Sequence, residues 1–193
     1  MFRLLIIPSL LLFNFVSYAQ EYFYEALADS AFTLTFQEVV YDPSYFSIAY
    51  PNGDVPKGKG VCTDVVIRAY RKMGIDLQKE VHEDLKENFS LYPALWQLSK
   101  PDRNIDHRRV PNLMKFFERH GQVLPITKKQ SDYRAGEIVC WDLGGGLTHI
   151  GIVSKQRDTF SNRPLIIHNI GSGQVIEDML FSYKIIGHYG YKK

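Results

Sequence analysis

The residues with the clearest chemical potential are one cysteine and two histidines that lie far apart in the chain. Cys62 opens an apolar run with helical spacing, whereas His149 and His168 each lie in a short β-rich run. The start of a helix favours a thiolate, and an imidazole can take up and return a proton. These residue types therefore predict a cysteine nucleophile that is served by histidine.

The element that carries Cys62 is predicted to be an amphipathic helix. Apolar positions recur from Cys62 to Met73 at offsets of three and four residues, and Gly74 follows them. This spacing is typical of one buried helix face, and a glycine after the last apolar residue is a common helix end. The thiol is therefore expected on the inward face of the helix.

The two histidines are expected on strands. Alternation places His149, Gly151 and Val153 on one face of their strand. On the next strand His168 and Asn169 point to opposite faces, so only one of them can face His149, and we favour His168. A lone histidine is more often a hydrogen-bonded core or surface residue than a catalytic one, and this alternative remains open for both.

Helical patterns precede strand patterns along the chain. Further helices are expected at about residues 22–38, 76–88 and 106–119, and short β-rich runs near 137–142, 148–154, 165–170 and 183–189. Helices first and strands afterwards predict an α+β domain, with N-terminal helices packed on a C-terminal antiparallel sheet.

The N-terminus has the pattern of a secretory signal peptide. A basic start is followed by an apolar stretch from Leu4 to Val16 and by small residues before Gln20. The stretch is short for a membrane span, although an uncleaved anchor is the alternative. We therefore predict a signal peptide at residues 1–19, a single domain at residues 20–193, and a periplasmic or extracellular location without a stable membrane span.

Composition narrows the partners only slightly. The formal net charge of +2 names no class of partner, and no motif or basic stripe indicates nucleic-acid binding. In an exported protein Cys62 and Cys140 could form a disulfide, a question that the sequence leaves open. His149, His168 and His188 could bind a metal, but no close histidine spacing supports this, so neither a metal nor a cofactor is expected.

These segments resemble two protein groupings. The run from Gly136 to Trp141, the run from Thr148 to Val153 and the following Ile-Ile-His strand are similar to the core of NlpC-type papain-like cysteine peptidases. The whole mature chain resembles the bacterial family known as domain of unknown function 1287. That resemblance rests on four segments, at residues 41–43, 50–56, 61–64 and 105–109.

The resemblance implies an NlpC-type papain-like fold and a role for each catalytic candidate. Cys62 matches the nucleophile, His149 the general base and later acid, and His168 the residue that orients the imidazole. Tyr50, 12 residues before Cys62, matches a tyrosine whose hydroxyl reaches the active site. Thr63 stands where the superfamily usually has serine, and 19 residues separate the two histidines, a longer interval than is usual there.

Two charged residues are further candidates for substrate binding. Arg108 could hold a carboxylate in a two-pronged fashion, and Asp64 could face the cleft. The alternatives are a helix start capped by Asp106 with solvated arginines, and an acidic residue that merely favours the first turn of its helix.

The expected function is hydrolysis of an amide bond by an exported, monomeric thiol enzyme. Resemblance and compartment favour peptidoglycan peptides as the substrate. An amidase or acyltransferase with the same catalytic residues, and a non-catalytic envelope binding module on the same fold, are the alternatives.

Overall fold

The structure is a computed structural model that describes residues 9–96 and 98–193, with side chains from residue 20 onward. The α-helices are α1 (Ser9–Phe32), α2 (Cys62–Lys72), α3 (Leu77–Glu87) and α4 (Val110–His120). The strands are β1 (Val40–Tyr41), β2 (Lys59–Gly60), β3 (Gln122–Val123), β4 (Ile138–Gly144), β5 (Leu147–Arg157), β6 (Pro164–His168), β7 (Val175–Glu177) and β8 (Lys184–Gly190).

Six strands form one antiparallel sheet in the order β3-β8-β4-β5-β6-β7. The short strands β1 and β2 pair separately and in parallel, just before α2. The prediction of an α+β domain with N-terminal helices and an antiparallel sheet is confirmed at this level.

The sheet has an apolar cluster on each face. One cluster combines the inward faces of α1, α2 and α4 with Cys140, Ile150 and Ile152 of the sheet. The second cluster contains Trp141 and Val153, which alternate with those residues along β4 and β5. The predicted alternation along β5 is therefore confirmed, and the two clusters lie in different layers.

The helices α2 and α3 begin and end close to their predicted limits. Gly74 adopts a φ of +79° after the last turn of α2. The Asp76 carboxylate accepts hydrogen bonds from the backbone N–H groups of Gln78 and Lys79 at 3.0 and 3.3 Å, and so caps α3.

The predicted helix from residue 106 to 119 was partly wrong. A 3-10 turn at Asp106–Arg108 comes first, and α4 begins only at Val110. Pro111 explains the break, because a proline fits the first turn of a helix but would lose a hydrogen bond and clash in its interior.

The N-terminal prediction lies partly outside the described residues. Residues 1–8 of the predicted signal peptide are not described, and α1 begins at Ser9 and continues through the predicted cleavage position. The part of α1 after residue 20 packs on α2 and β5 through Leu27 and Ala31. Among the described residues, no helix is both long and apolar enough to cross a membrane.

Candidate active site

Cys62 is the first residue of α2 and is buried, with 6% of its surface exposed. The preceding residue, Val61, is extended, and its N–H donates to the Asp64 carboxylate at 2.7 Å. The first backbone N–H groups of the helix, those of Cys62 and Thr63, are directed at the sulfur. The sequence folds here so that the thiol lies at the positive end of the helix dipole.

His149 and His168 form a hydrogen-bonded pair across neighbouring strands. Nε2 of His149 lies 3.0 Å from Nδ1 of His168, and the rings meet edge to face. The other face of His149 packs on the Trp141 indole at 5.8 Å between ring centroids. Both histidines are almost completely buried, with exposures of 2% and 0%. Their hydrogen bond leaves Nδ1 of His149 and Nε2 of His168 for other partners.

Gly151 makes the close contact of the two histidine strands feasible. A Cβ atom at this position would lie 2.7 Å from the Ile166 side chain and 3.2 Å from Cβ of His168. The space beside the glycine is therefore filled by the neighbouring strand. Asn169 turns the other way, toward the Gly60 carbonyl oxygen at 3.4 Å. Of the two residues, His168 is the one that contacts His149.

The Cys62 sulfur lies against the backbone of β5, at the residue next to His149. The backbone N–H of Ile150 donates toward the Cys62 sulfur, so the thiol lies beside the peptide bond that joins Ile150 to His149. Paired residues of β5 and β6 begin only at Ile152 and Ile167, which leaves the β5 backbone open to the helix terminus at this point. In the described part of the chain, neither imidazole is hydrogen-bonded to the sulfur.

Asp64 and Arg108 contact each other rather than the histidines. The guanidinium donates to the carboxylate through Nε and Nη2, both at 3.0 Å, and both side chains are buried. The remaining nitrogen, Nη1, donates to the Ser44 carbonyl oxygen at 3.0 Å. A role in binding substrate stays a prediction for both residues, because the groups that would recognise a substrate are already paired.

Tyr50 lies against α3. Its hydroxyl is 3.5 Å from the Glu83 carboxylate, and its ring meets the edge of His82. A role for this hydroxyl at Cys62 stays a prediction that no contact of the structure supports. Burial raises the pKa of Tyr41 of β1, and the proximity of Cys62 raises it too. Sequence reasoning missed this tyrosine, although it pairs with Gly60, two residues before the thiol.

Comparison with known proteins places the chain in a family. A family model described as "Domain of unknown function (DUF1287)" matches residues 28–191. This chain belongs to the DUF1287 family. A relative named "Uncharacterized protein YijF", from Escherichia coli (strain K12), is 53% identical over 168 residues, which are 86% of this chain and 80% of the relative. No solved structure matches the chain.

Burial controls the protonation of the candidate nucleophile in this DUF1287 chain. Desolvation raises the pKa of Cys62 to about 12, and the nearby Asp64 carboxylate acts in the same direction. The backbone N–H groups of Ile150, Thr63 and Cys62 lower that pKa but do not offset the burial. The expectation of a lowered thiol pKa was therefore wrong for this closed arrangement.

The two imidazoles of the DUF1287 site are neutral at pH 7. Burial, together with the proximity of His168, lowers the pKa of His149 to about 3. Burial alone lowers the pKa of His168 to about 4. The resting site thus holds a thiol and two uncharged imidazoles, and not an ion pair.

The described part of the DUF1287 chain offers no group of three or more His, Cys, Asp or Glu side chains that could hold a metal ion. His188 instead bonds the Glu137 carboxylate at 2.8 Å and the Pro125 carbonyl oxygen at 2.9 Å. Cys62 and Cys140 are both free thiols. Three cavities, of about 120, 550 and 780 Å³, are lined by residues other than Cys62 and the histidine pair.

The arrangement is suited to proton transfer beside a nucleophile. Three backbone N–H groups donate toward the thiol, and one of them belongs to Ile150 of β5. The residue before Ile150 is His149, which forms the buried imidazole pair with His168. Such a pair can accept the proton of an attacking thiol and return it to a leaving group. Glu177 of β7, which sequence reasoning also missed, lies beside the outer nitrogen of His168.

Proposed function

We propose that this DUF1287 protein is an exported thiol hydrolase with an NlpC-type papain-like fold, and that it cleaves an amide bond in peptidoglycan peptides. One observation carries the proposal. The Cys62 sulfur lies at a helix N-terminus beside the His149 backbone, while the His149–His168 hydrogen bond uses Nε2 and leaves Nδ1 of His149 without a partner in the described chain. That nitrogen is the available base.

Attack begins from neutral groups. Because the thiol and the imidazole are both uncharged at rest, the thiol proton moves to Nδ1 of His149 as the carbon–sulfur bond forms. The electron pair of the carbonyl bond moves onto oxygen. His168 accepts the Nε2 hydrogen bond and so steadies the imidazolium while it exists.

The oxyanion needs donors that are already in place. The backbone N–H of Cys62 is one candidate, and the Tyr41 hydroxyl is better situated than that of Tyr50 as a second. The carbon–nitrogen bond then breaks, and the departing amine takes the proton from His149. A water molecule, deprotonated by the same imidazole, then attacks the acyl-enzyme and forms a carbon–oxygen bond. The carbon–sulfur bond breaks, and the Cys62 sulfur takes the proton back from His149, which restores the resting thiol.

Substrate must reach a closed site. Cys62 is 6% exposed, so turnover requires the surface that covers the thiol to move aside. The same chemistry serves an amidase, or an acyltransferase if an amine replaces water in the last step. The acyl acceptor decides between these reactions, and the residues on the protein are the same.

Digestion of peptidoglycan tests the proposal. Sacculi are incubated with the wild type, with Cys62→Ala and with Cys140→Ala, and the released muropeptides are identified by mass spectrometry. Cys140 is the matched control, because it is also a buried free thiol in the same apolar cluster. We expect new products from the wild type and Cys140→Ala and none from Cys62→Ala. Equal products from all three proteins would refute the proposal.

A binding module without catalysis is the second candidate. The raised pKa and the burial of Cys62 support it, because a thiol that is not ionised and not exposed is a poor nucleophile. This candidate predicts that the wild type and Cys62→Ala bind sacculi equally well in a pull-down assay and that neither releases muropeptides.

A further inference from the structure

The outer nitrogen of His168 is a buried polar atom without a hydrogen bond. Among the described residues, Nε2 of His168 is one of the few buried side-chain atoms that lack a partner. An unused nitrogen at zero exposure is costly, because a buried polar group that makes no hydrogen bond loses its solvation without compensation. The nearest charged group is the Glu177 carboxylate, whose Oε2 atom lies 3.7 Å from this nitrogen.

The register of the sheet holds Glu177 near His168. Val175 pairs directly with His168, and Glu177 pairs with Ile166, so Glu177 is a diagonal neighbour on the same face. Its carboxylate makes no other ion pair or hydrogen bond in the described chain, and the side chain is half exposed. The adjacent Asp178, by contrast, is held by Arg163 at 2.7 Å.

A neutral histidine pair has two arrangements of its protons. In the first, His149 donates from Nε2 to Nδ1 of His168, so that His168 carries its own proton on Nε2. In the second, His168 donates from Nδ1, so that its Nε2 is bare and His149 is protonated on Nδ1. Only the first arrangement leaves Nδ1 of His149 with a free lone pair.

A carboxylate beside Nε2 of His168 distinguishes the two arrangements. A carboxylate attracts an N–H group that faces it, whereas it repels a nitrogen lone pair that faces it. The separation of 3.7 Å is longer than a hydrogen bond and the Glu177 side chain is half exposed, but the nitrogen that it faces is completely buried, so water screens the interaction only in part. Glu177 therefore favours the arrangement in which His168 holds a proton on Nε2.

We propose that Glu177 is a positioning residue that sets the tautomer of the His149–His168 pair and thereby keeps Nδ1 of His149 free to act as a base. The consequence for catalysis rests on the proposed function. The tautomer itself does not, so it can be tested without any substrate.

Nitrogen NMR of ¹⁵N-histidine-labelled protein at pH 7 reads the tautomer directly. In the wild type we expect protonated Nε2 and unprotonated Nδ1 signals for both histidines. Glu177→Lys replaces the negative charge by a positive one, and should shift both histidines toward protonation on Nδ1. Glu177→Gln should give an intermediate result, because an amide oxygen is a weaker acceptor. Glu87→Gln, an exposed carboxylate on α3, should leave the spectrum unchanged.

The same variants separate this inference from the proposed function. If Cys62-dependent turnover is found, Glu177→Lys should reduce it roughly 10-fold to 100-fold, a part of what general acid–base catalysis contributes. A tautomer shift in a protein without turnover would support Glu177 and reject the hydrolase. The proposal for Glu177 is overturned if the wild type holds the opposite tautomer, or if Glu177→Lys leaves the nitrogen signals in place.

Discussion

Two buried polar pairs near Cys62 differ in how completely their hydrogen-bonding groups are used. In the Asp64–Arg108 pair the carboxylate and the guanidinium bind each other, and the remaining donors reach backbone carbonyl oxygens. In the His149–His168 pair a single hydrogen bond joins the rings, and Nε2 of His168 is buried without a partner in the described chain.

The difference indicates separate roles for the two pairs. Saturated groups hold structure, because neither partner can engage a third molecule without breaking an existing bond. Asp64 and Arg108 thus join the start of α2 to the chain around Ser44. A buried nitrogen without a partner, such as Nε2 of His168, calls for an explanation, and a catalytic role is one. Both pairs were candidates from sequence, and the hydrogen-bond inventory separates them.

The largest expected effect is on activity, from the unsaturated pair. His149→Gln should reduce Cys62-dependent turnover by roughly 10³-fold or more, because a general base and acid contribute about 10²–10⁴. It should cost only about 1 kcal/mol of the free energy of unfolding, the usual net value of one hydrogen bond. Turnover assays and urea denaturation measure the two quantities. A fully active His149→Gln protein would show that His149 is not the base.

The next effect is on stability, from the saturated pair. Arg108→Ala should lower the free energy of unfolding by about 3–5 kcal/mol, because it leaves the buried Asp64 carboxylate uncompensated. Urea denaturation measures this change. Arg134→Ala, which removes an exposed arginine, is the control and should change stability by less than about 0.5 kcal/mol. A stable but inactive Arg108→Ala protein would instead show that Arg108 binds substrate.

The two tyrosines extend the comparison. Tyr41→Phe should reduce turnover roughly 10²-fold to 10³-fold if its hydroxyl stabilises the oxyanion at Cys62. Tyr50→Phe should have little effect, because that hydroxyl lies 3.5 Å from the Glu83 carboxylate. Steady-state kinetics on both variants measures the difference. The reverse order of effects would restore the assignment made from sequence.

A smaller effect is expected on the pH dependence of stability. The pKa values of His149 and His168 are lowered to about 3 and about 4, while an unfolded histidine titrates near about 6.5. Below that pH the unfolded chain binds protons that the folded pair does not, so stability falls as the pH falls from 6.5 toward 4.

Removing one histidine should flatten this dependence. In His149→Gln the slope of stability against pH should fall by up to about 1.4 kcal/mol per pH unit, whereas Arg134→Ala, which removes an exposed arginine, should retain the wild-type slope. Urea denaturation at several pH values between 4 and 7 gives the slopes. Identical slopes for all three proteins would mean that the pair is not held neutral by burial.

Periodicity in the sequence predicted the long elements and the alternation within them. The Cys62 helix and the strand of His149 follow from local spacing. For the next strand, that spacing showed only that one of His168 and Asn169 could face His149. Local spacing cannot show on which face of the sheet each side chain lies. The strands β1 and β7 are only two and three residues long, too short for a periodic signal, so Tyr41 and Glu177 were missed with them.

The sequence also could not predict which residues pair over long distances or how deeply each is buried. Arg108 binds a carboxylate 44 positions away, and no local pattern distinguishes that pairing from a solvated arginine at a helix start. The pKa of Cys62 depends on the whole core around it. The helix terminus alone predicted a lowered pKa, and burial reversed the direction.

Trapping the acyl-enzyme tests most directly whether Cys62 acts as the nucleophile. Wild-type protein is mixed with peptidoglycan peptides, quenched in acid within the first turnover, digested and mapped by mass spectrometry. We expect an acyl adduct on the peptide that contains Cys62, no adduct on the peptide of Cys140, and no adduct in His149→Gln. Product release without any adduct on Cys62, or an equal adduct on Cys140, would contradict the account.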